Sequence, residues 1–453
     1  MLRRLMSARV EVWLLLLLAL AFLAGLVFYG SLVRAAALGS ARHGWIGRAA
    51  LATAEFPGQT RRVIGYLVNG ADADLGIRED RFGTDAGLIV ADPATAARDG
   101  YLVLARYDGD RGRSVVELVD LASGQVVHTW APDIAAINAR STITSNLTDL
   151  AVDNAPGRAR MYSPLVAPDG SFVYNNLSPL VRLDVCGQRL WTVDQLFHHS
   201  NIAHPDGGYW VSTHIEPQTI EGVKRTFFED SVTHVSEAGE VMFQKSVPQI
   251  LIDNGLGRLV YGLDFYSDDP LHLNDIEPAR SDGPHWQRGD IFLSLRNVSA
   301  VVLYRPSENR VIRVIQGPWA NQHDVDILDD HRISVFNNNR FNSSVGSYVE
   351  GANDVVIYDL ATDAATSPFG PALASLDVRT VSEGLADILA DGGVFVEESN
   401  FGRIMRLDAA GKPAWTYINR AGNGRLYLTS WSSLVPRATG DAVIASAKAA
   451  GCP

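Results

Sequence analysis

The 453-residue chain is 47% hydrophobic and 20% charged, a globular composition that argues against intrinsic disorder. Its formal charge of −12 argues against a nucleic-acid partner, which needs a basic face, and leaves open a small anionic ligand held by local charge. Cys186 and Cys452 are the only cysteines; they fit no metal spacing and allow at most one disulfide.

From Val12 to Val33 the chain runs without a charge, close to the ~20 residues a helix needs to cross a bilayer. Arg3, Arg4 and Arg9 precede this run, so the positive-inside tendency keeps the amino end in the cytoplasm and the remainder on the extracytoplasmic side. A cleaved signal peptide is the competing reading, since Ala35-Ala36-Ala37 offers small residues. Signal cores span about 7–15 residues, shorter than this run, which favours an uncleaved anchor. Residues 1–34 are therefore expected to form a cytoplasmic tip and transmembrane helix. Residues 35–80, rich in Ala, Gly and Arg with weak periodicity, read as a stalk.

Beyond the stalk the pattern is strand, tight turn, strand. Six turns follow apolar runs: Leu121–Gly124, Asp184–Gly187, Ser236–Gly239, Arg305–Asn309, Asp359–Asp363 and Asp408–Gly411. Gly, Asn and Asp tolerate the positive φ of such hairpins. The turns recur roughly every 50 to 70 residues without linkers, which suits four-stranded blades. The expected fold is all-β, a six-bladed β-propeller over residues 81–440 with a tail at 441–453. A β-sandwich or a tandem of small β-domains is the competing architecture; the even count and lack of linkers favour the propeller.

Three segments open on histidine and precede a short β-type run: His199 before Gly208–His214, His272 before Asp290–Arg296, and His323 before His331–Asn337. Superposing the turns Asp169-Gly170, Asp206-Gly207, Asp330-His331 and Asp391-Gly392 puts Tyr162, His199, His323 and Gly384 in one register. His272 takes the same role in the fourth unit, whose turn is lengthened by residues 279–289. The next strand supplies a second register: Asn176, His214, Arg296, Asn337 and Glu398. Innermost strands of a propeller line one channel, so two polar rings at its mouth would make a concave site with convergent donors.

A lone histidine at a strand start is most often a hydrogen-bonded structural residue. Three in equivalent places, where other units carry Tyr162 and Gly384, favour a site. Arg296 could be a solvated strand-end residue, yet its planar fork suits an oxyanion. Asn274 shares the face of His272 in an extended segment, while the same alternation turns His198 away from His199 and makes it structural. His204, His285 and His331 fall in turns. Three histidines could ligate a transition ion, but an arginine beside them fits an anionic ligand better, and Asp275 and Asp326 could orient imidazoles. No metal and no cofactor is expected. Without a G-x-S-x-G elbow or a glycine-rich phosphate loop, neither a serine hydrolase nor a nucleotide donor is implied.

At these residues the chain resembles the arylsulfotransferase family, exported enzymes that use no nucleotide sulfate donor. The resemblance is carried by His272-x-Asn274, Phe292-Leu-Ser-Leu-Arg296, Gln322-His323-Asp324 and the pair His198-His199, in that family's order, and spans roughly residues 120 to 420. It implies a six-bladed propeller and ping-pong sulfuryl transfer from an aryl sulfate to a phenol. It also implies that His323 is the transiently sulfated nucleophile, with His272, Asn274, Arg296 and His199 holding sulfuryl oxygens or handling the phenol proton. Tyr162, His214 and Asn337 complete the expected substrate-binding rings. The competing functions are a non-enzymatic propeller that binds an anionic ligand or protein, and a metal-dependent propeller hydrolase. The sequence leaves the oligomeric state open.

Overall fold

The computed structural model describes residues 11–37, 41–69, 75–77, 79–343 and 346–452. They belong to two units, residues 1–73 and 74–453. In the first, the stretch Val12–Ala36 is helical, with a mean hydropathy of 2.6, long and apolar enough to cross a membrane. Arg3, Arg4 and Arg9, which carry the orientation argument, lie outside the described residues. A second helix, Gly44–Asn69, packs on the first, with the Tyr29 hydroxyl donating to the Ala50 carbonyl at 3.0 Å. Much of the expected stalk is therefore helix. Its alanines favour helix intrinsically, but without a regular apolar stripe they gave no periodic signal.

The second unit is a ring of six antiparallel sheets. From inner to outer strand, blade one is Ser433–Val435, Tyr101–Asp108, Arg113–Asp120 and Gln125–Trp130. Blade two is Tyr162–Val166, Phe172–Asn175, Leu180–Leu183 and Arg189–Val193; blade three is Leu196–Ala203, Tyr209–His214, Asp230–Val235 and Val241–Ser246. Blade four is Leu273–Pro278, Ile291–Leu295, Ala300–Arg305 and Arg310–Ile315; blade five is His323–Ile327, Arg332–Asn337, Asp354–Asp359 and Ala365–Thr366. Blade six is Leu385–Ile388, Val394–Glu398, Arg403–Leu407 and Pro413–Ile418, extended outward by Gly87–Val90. The six expected hairpin turns each join the two outer strands of one blade. In four of them the leading aspartate (Asp120, Asp184, Asp359, Asp408) accepts amide hydrogens of its own turn, which is why this residue type punctuates the repeat.

Strands from both ends of the chain close the ring: Gly87–Val90 pairs with Pro413–Ile418, and Ser433–Val435 pairs with Tyr101–Val103. The core is divided among the seams between neighbouring blades. Trp130 packs with Phe172 between blades one and two, Phe292 with Val335 between four and five, and Phe395 with Leu104 between six and one. The expected C-terminal tail is instead the helix Arg437–Ala450, whose Val443 enters the first seam. Cys452 then forms a disulfide with Cys186 of blade two.

One irregularity positions the site. The inner strands of blades two to five each break register near their start, between Tyr162 and Leu165, His198 and Asn201, Leu273 and Asp275, and His323 and Val325. Such bulges bend a strand and re-aim its side chains.

Candidate active site

Counted back from the last inner-strand pair of each blade (Val166, Ala203, Pro278, Ile327 and Ile388), the equivalent positions are Tyr162, His199, Asn274, His323 and Gly384. Asn274, and not His272, thus holds the shared place in blade four; His272 stands two residues earlier. The three histidines nevertheless converge. Ring centroids lie 5.0 Å apart for His199 and His272 and 6.2 Å for His199 and His323. His199 and His272 both have left-handed backbone, φ 56° and 57°, at a cost of order 1 kcal/mol.

His323 is fully buried. Its Nδ1 lies 2.6 Å from Asn338 Oδ1, and the Asn338 amide nitrogen donates to the carbonyls of Thr380 and Glu383. Asn338 Oδ1 must therefore accept, which puts the His323 proton on Nδ1 and the lone pair on Nε2. In the resting arrangement that lone pair accepts the Glu383 amide at 3.1 Å. Burial, then the positive field of Arg296, push the His323 pKa well below its ordinary value. Burial and the neighbouring imidazoles do the same to His199, so both are neutral at neutral pH.

His272 has a different environment. Its Nδ1 lies 2.6 Å from Asp269 Oδ2, while its Nε2 has no hydrogen-bond partner. Burial would raise the Asp269 pKa, but the His272 hydrogen bond and Arg296 hold it below the ordinary carboxylate value. This is the carboxylate–imidazole arrangement that supports general acid–base work.

Arg296 spends only Nε on a neighbour, donating to Asn297 Oδ1 at 3.1 Å. No carboxylate pairs with it among the described residues. It lines a cavity of about 480 Å3 together with Arg258, Phe265, Asp269, Asn321 and Arg340. Burial and the like charge of Arg340 lower the Arg296 pKa. Two guanidiniums lining one cavity, neither in a salt bridge to a carboxylate among the described residues, make a site for an anion.

Other expected ligand contacts serve the scaffold. Asn274 is fully buried and donates to the Gln322 carbonyl at 2.7 Å, tethering the strand that carries His323. Asn337 is buried and accepts the amides of Ala320 and Asn339; Asn176 and Glu398 likewise accept those of Arg160 and Arg379. The second register is thus mainly a repeated cap on the segment entering each inner strand, from which Arg296 and His214 depart. Tyr162 accepts from Arg160 at 2.7 Å, and Arg160 pairs with Glu383; it reaches His323 only through the Glu383 backbone. His214 stacks on His198 with ring centroids 4.0 Å apart. Contrary to strand alternation, His198 Nδ1 meets His199 Nδ1 at 2.9 Å, because the bulge at His199 breaks the alternation. Asp275 and Asp326 orient no imidazole: Asp275 accepts the Val325 amide of the next blade, and Asp326 faces Ser334.

Sequence reasoning missed Asn338, Asp269, Glu383, Arg340 and Trp431. The Trp431 ring lies 6.5 Å from His199 and 6.4 Å from His323, and its indole N–H is buried without a partner. Asp269, three residues before His272, was the one with a local signal.

Fold and site together define a six-bladed propeller that gathers three imidazoles at the starts of its inner strands, beside an arginine-lined cavity. The profile of the family described as Arylsulfotransferase (ASST) matches residues 169–420, more than half of the chain. The chain belongs to the arylsulfotransferase family, and that membership implies aryl sulfotransferase-type activity. No curated protein matches it in sequence. Solved structures similar to it include a protein of unknown function from Bacteroides caccae, with a TM-score of 0.43 and 11% identity over 70% of this chain and 93% of that one. Virginiamycin B lyase from Staphylococcus aureus is similar with a TM-score of 0.33 and 13% identity over 57% of this chain and 70% of that one.

Proposed function

We propose that the chain transfers a sulfuryl group from an aryl sulfate to a phenol through a sulfo-histidine at His323. The observation that carries this reading is the fixed tautomer of His323, a neutral imidazole with its proton locked onto Asn338 and its lone pair on Nε2. Substrate displaces the Glu383 amide from that lone pair. Nε2 attacks sulfur as the S–O bond to the aryl group breaks, and protonated His272, held through Nδ1 by Asp269, gives its Nε2 proton to the departing phenolate. The acceptor phenol then returns a proton to His272, attacks sulfur and breaks the N–S bond. Arg296 and His199 hold the equatorial oxygens, where charge spreads during the transfer. Asn338 stabilises the positive charge on the sulfated ring through its carbonyl.

The apolar helix together with the Cys186–Cys452 disulfide supports an anchored protein with its propeller in an oxidising, extracytoplasmic compartment. The test uses purified protein, a chromogenic aryl sulfate and a phenol. Acceptor-dependent release of the chromophore is expected, with the mass of one sulfuryl group appearing on the His323 peptide when acceptor is withheld. His323→Ala should lose the adduct and at least about a thousandfold in rate. Acceptor-independent release, or a fully active His323→Ala protein, would sink the reading.

A further inference from the structure

Blade three carries a cluster outside the transfer chemistry. His198, His214 and Asp230 come from three consecutive strands of this blade, with His214 paired across the sheet to Asp230 and two residues offset from His198. His198 Nε2 lies 3.5 Å and His214 Nδ1 3.2 Å from Asp230 Oδ1, and all three atoms fall within 4.8 Å of one another. None of the three has a hydrogen-bond partner, although the His198 and Asp230 side chains are only 5% and 1% exposed. Three polar atoms converging on one point, with no hydrogen-bond partner outside the cluster, call for an explanation.

We infer that His198 Nε2, His214 Nδ1 and Asp230 Oδ1 bind a divalent first-row transition ion of the zinc class. Zinc bonds to imidazole nitrogen and carboxylate oxygen of about 2.0–2.1 Å imply ligand–ligand edges of about 3.3–3.4 Å in a tetrahedron, and the two N–O edges here bracket that value. The donor set is two imidazoles and one carboxylate, which suits zinc and its neighbours better than calcium or magnesium. Two of the three remaining side-chain atoms are already engaged from outside the cluster. Asp230 Oδ2 accepts the Leu273 amide at 2.8 Å, and His198 Nδ1 contacts His199 Nδ1. These are the outer contacts that orient metal ligands. The two imidazoles stack with a 22° tilt, so loading the ion rotates one ring until its lone pair faces the metal.

The ion would act on the neighbouring site without touching substrate. A metal on His198 Nε2 forces the His198 proton onto Nδ1, which then donates to His199 Nδ1. His199 is left as a fixed Nε2–H donor toward the histidine centre. The site stands independently of sulfuryl transfer.

The test is metal binding by the full-length protein in detergent. After stripping with a chelator and adding back zinc, one equivalent should survive desalting, and cobalt(II) should give the visible absorption of a tetrahedral site. Zinc should also raise the Tm by mass action. His214→Gln, chosen because that ring is partly exposed, and Asp230→Asn should each remove the equivalent, the cobalt spectrum and the zinc-induced Tm rise. The weakening should exceed the roughly 10–100-fold typical of losing an outer contact. His331→Ala, which dismantles the exposed Asp329–Asp330–His331 group, should leave all three readouts intact. A stripped protein that takes up no zinc, full binding in His214→Gln with a native unfolding profile, or loss that follows His331 would each overturn the assignment.

Discussion

The inner strands of blades four to six carry two layers of opposite chemistry. At their starts stand His272, His323 and the nearby Arg296. One to five residues further along the same strands stand Asp275, Glu277, Asp324, Asp326 and Asp387. Burial acts on both layers, and in each it disfavours charge. It pushes His323, and His199 of blade three beside it, down. It pushes the carboxylates up, helped by their mutual repulsion, to about 6 for Asp275 and Asp387 and about 8 for Glu277. His199 and His323 are thus kept neutral near the Arg296 guanidinium, while any charge in the carboxylate layer repels an anion. The contrast teaches that one ring of inner strands can favour an anion at the strand starts and oppose one further in.

The largest effect should come from breaking the acid–base pair. Asp269→Asn keeps the hydrogen-bonding shape but removes the carboxylate that holds His272 through Nδ1, and should lower kcat by about a hundredfold or more. An Asp269→Asn protein with wild-type kcat would refute that role. Arg296→Lys keeps the charge and loses the fork, and should cost about ten- to a hundredfold in kcat/KM; unchanged steady-state kinetics would remove Arg296 from oxyanion binding.

Stability measurements sharpen the contrast between layers, because their signs oppose. His199 and His323 have depressed folded-state pKa values, so their contribution is present above about pH 6.5 and is lost as pH falls through that region. The carboxylates have raised values, so their contribution is complete below about pH 4 and is lost as pH rises toward 8. Glu277→Gln should therefore raise stability at pH 8 by about 1–3 kcal/mol and leave it unchanged at pH 4. A denaturant midpoint that does not move at pH 8 would show that Glu277 is hydrated. The smallest effect belongs to the scaffold: Asn176→Ala, which orphans the Arg160 amide, should cost about 1 kcal/mol in urea unfolding without changing substrate KM. A changed KM would return the second register to the binding site.

Much of the site was legible because it repeats. The turn spacing predicted the six blades, and the registers put His199 and His323 at the equivalent strand positions they occupy. The same repeat misassigned Asn337, because an identical position in several blades serves the backbone that all blades share. It also placed His272 in a register that belongs to Asn274, since the insertion in blade four hid the true offset. The pairing of His198 with His199 was invisible for a different reason: strand alternation holds only where no bulge intervenes.

What the sequence determined alone is the architecture and the inventory of chemical groups, since turn residues and apolar runs are local properties and the motif order identifies the family. Tertiary structure decided which groups meet. Asn338 fixes the His323 tautomer, Asp269 the His272 proton, and Asp230 faces two imidazoles through contacts that depend on bulges and on neighbouring blades. Hydrogen-bond geometry of that kind is set to fractions of an ångström by packing, and no spacing along a chain encodes it.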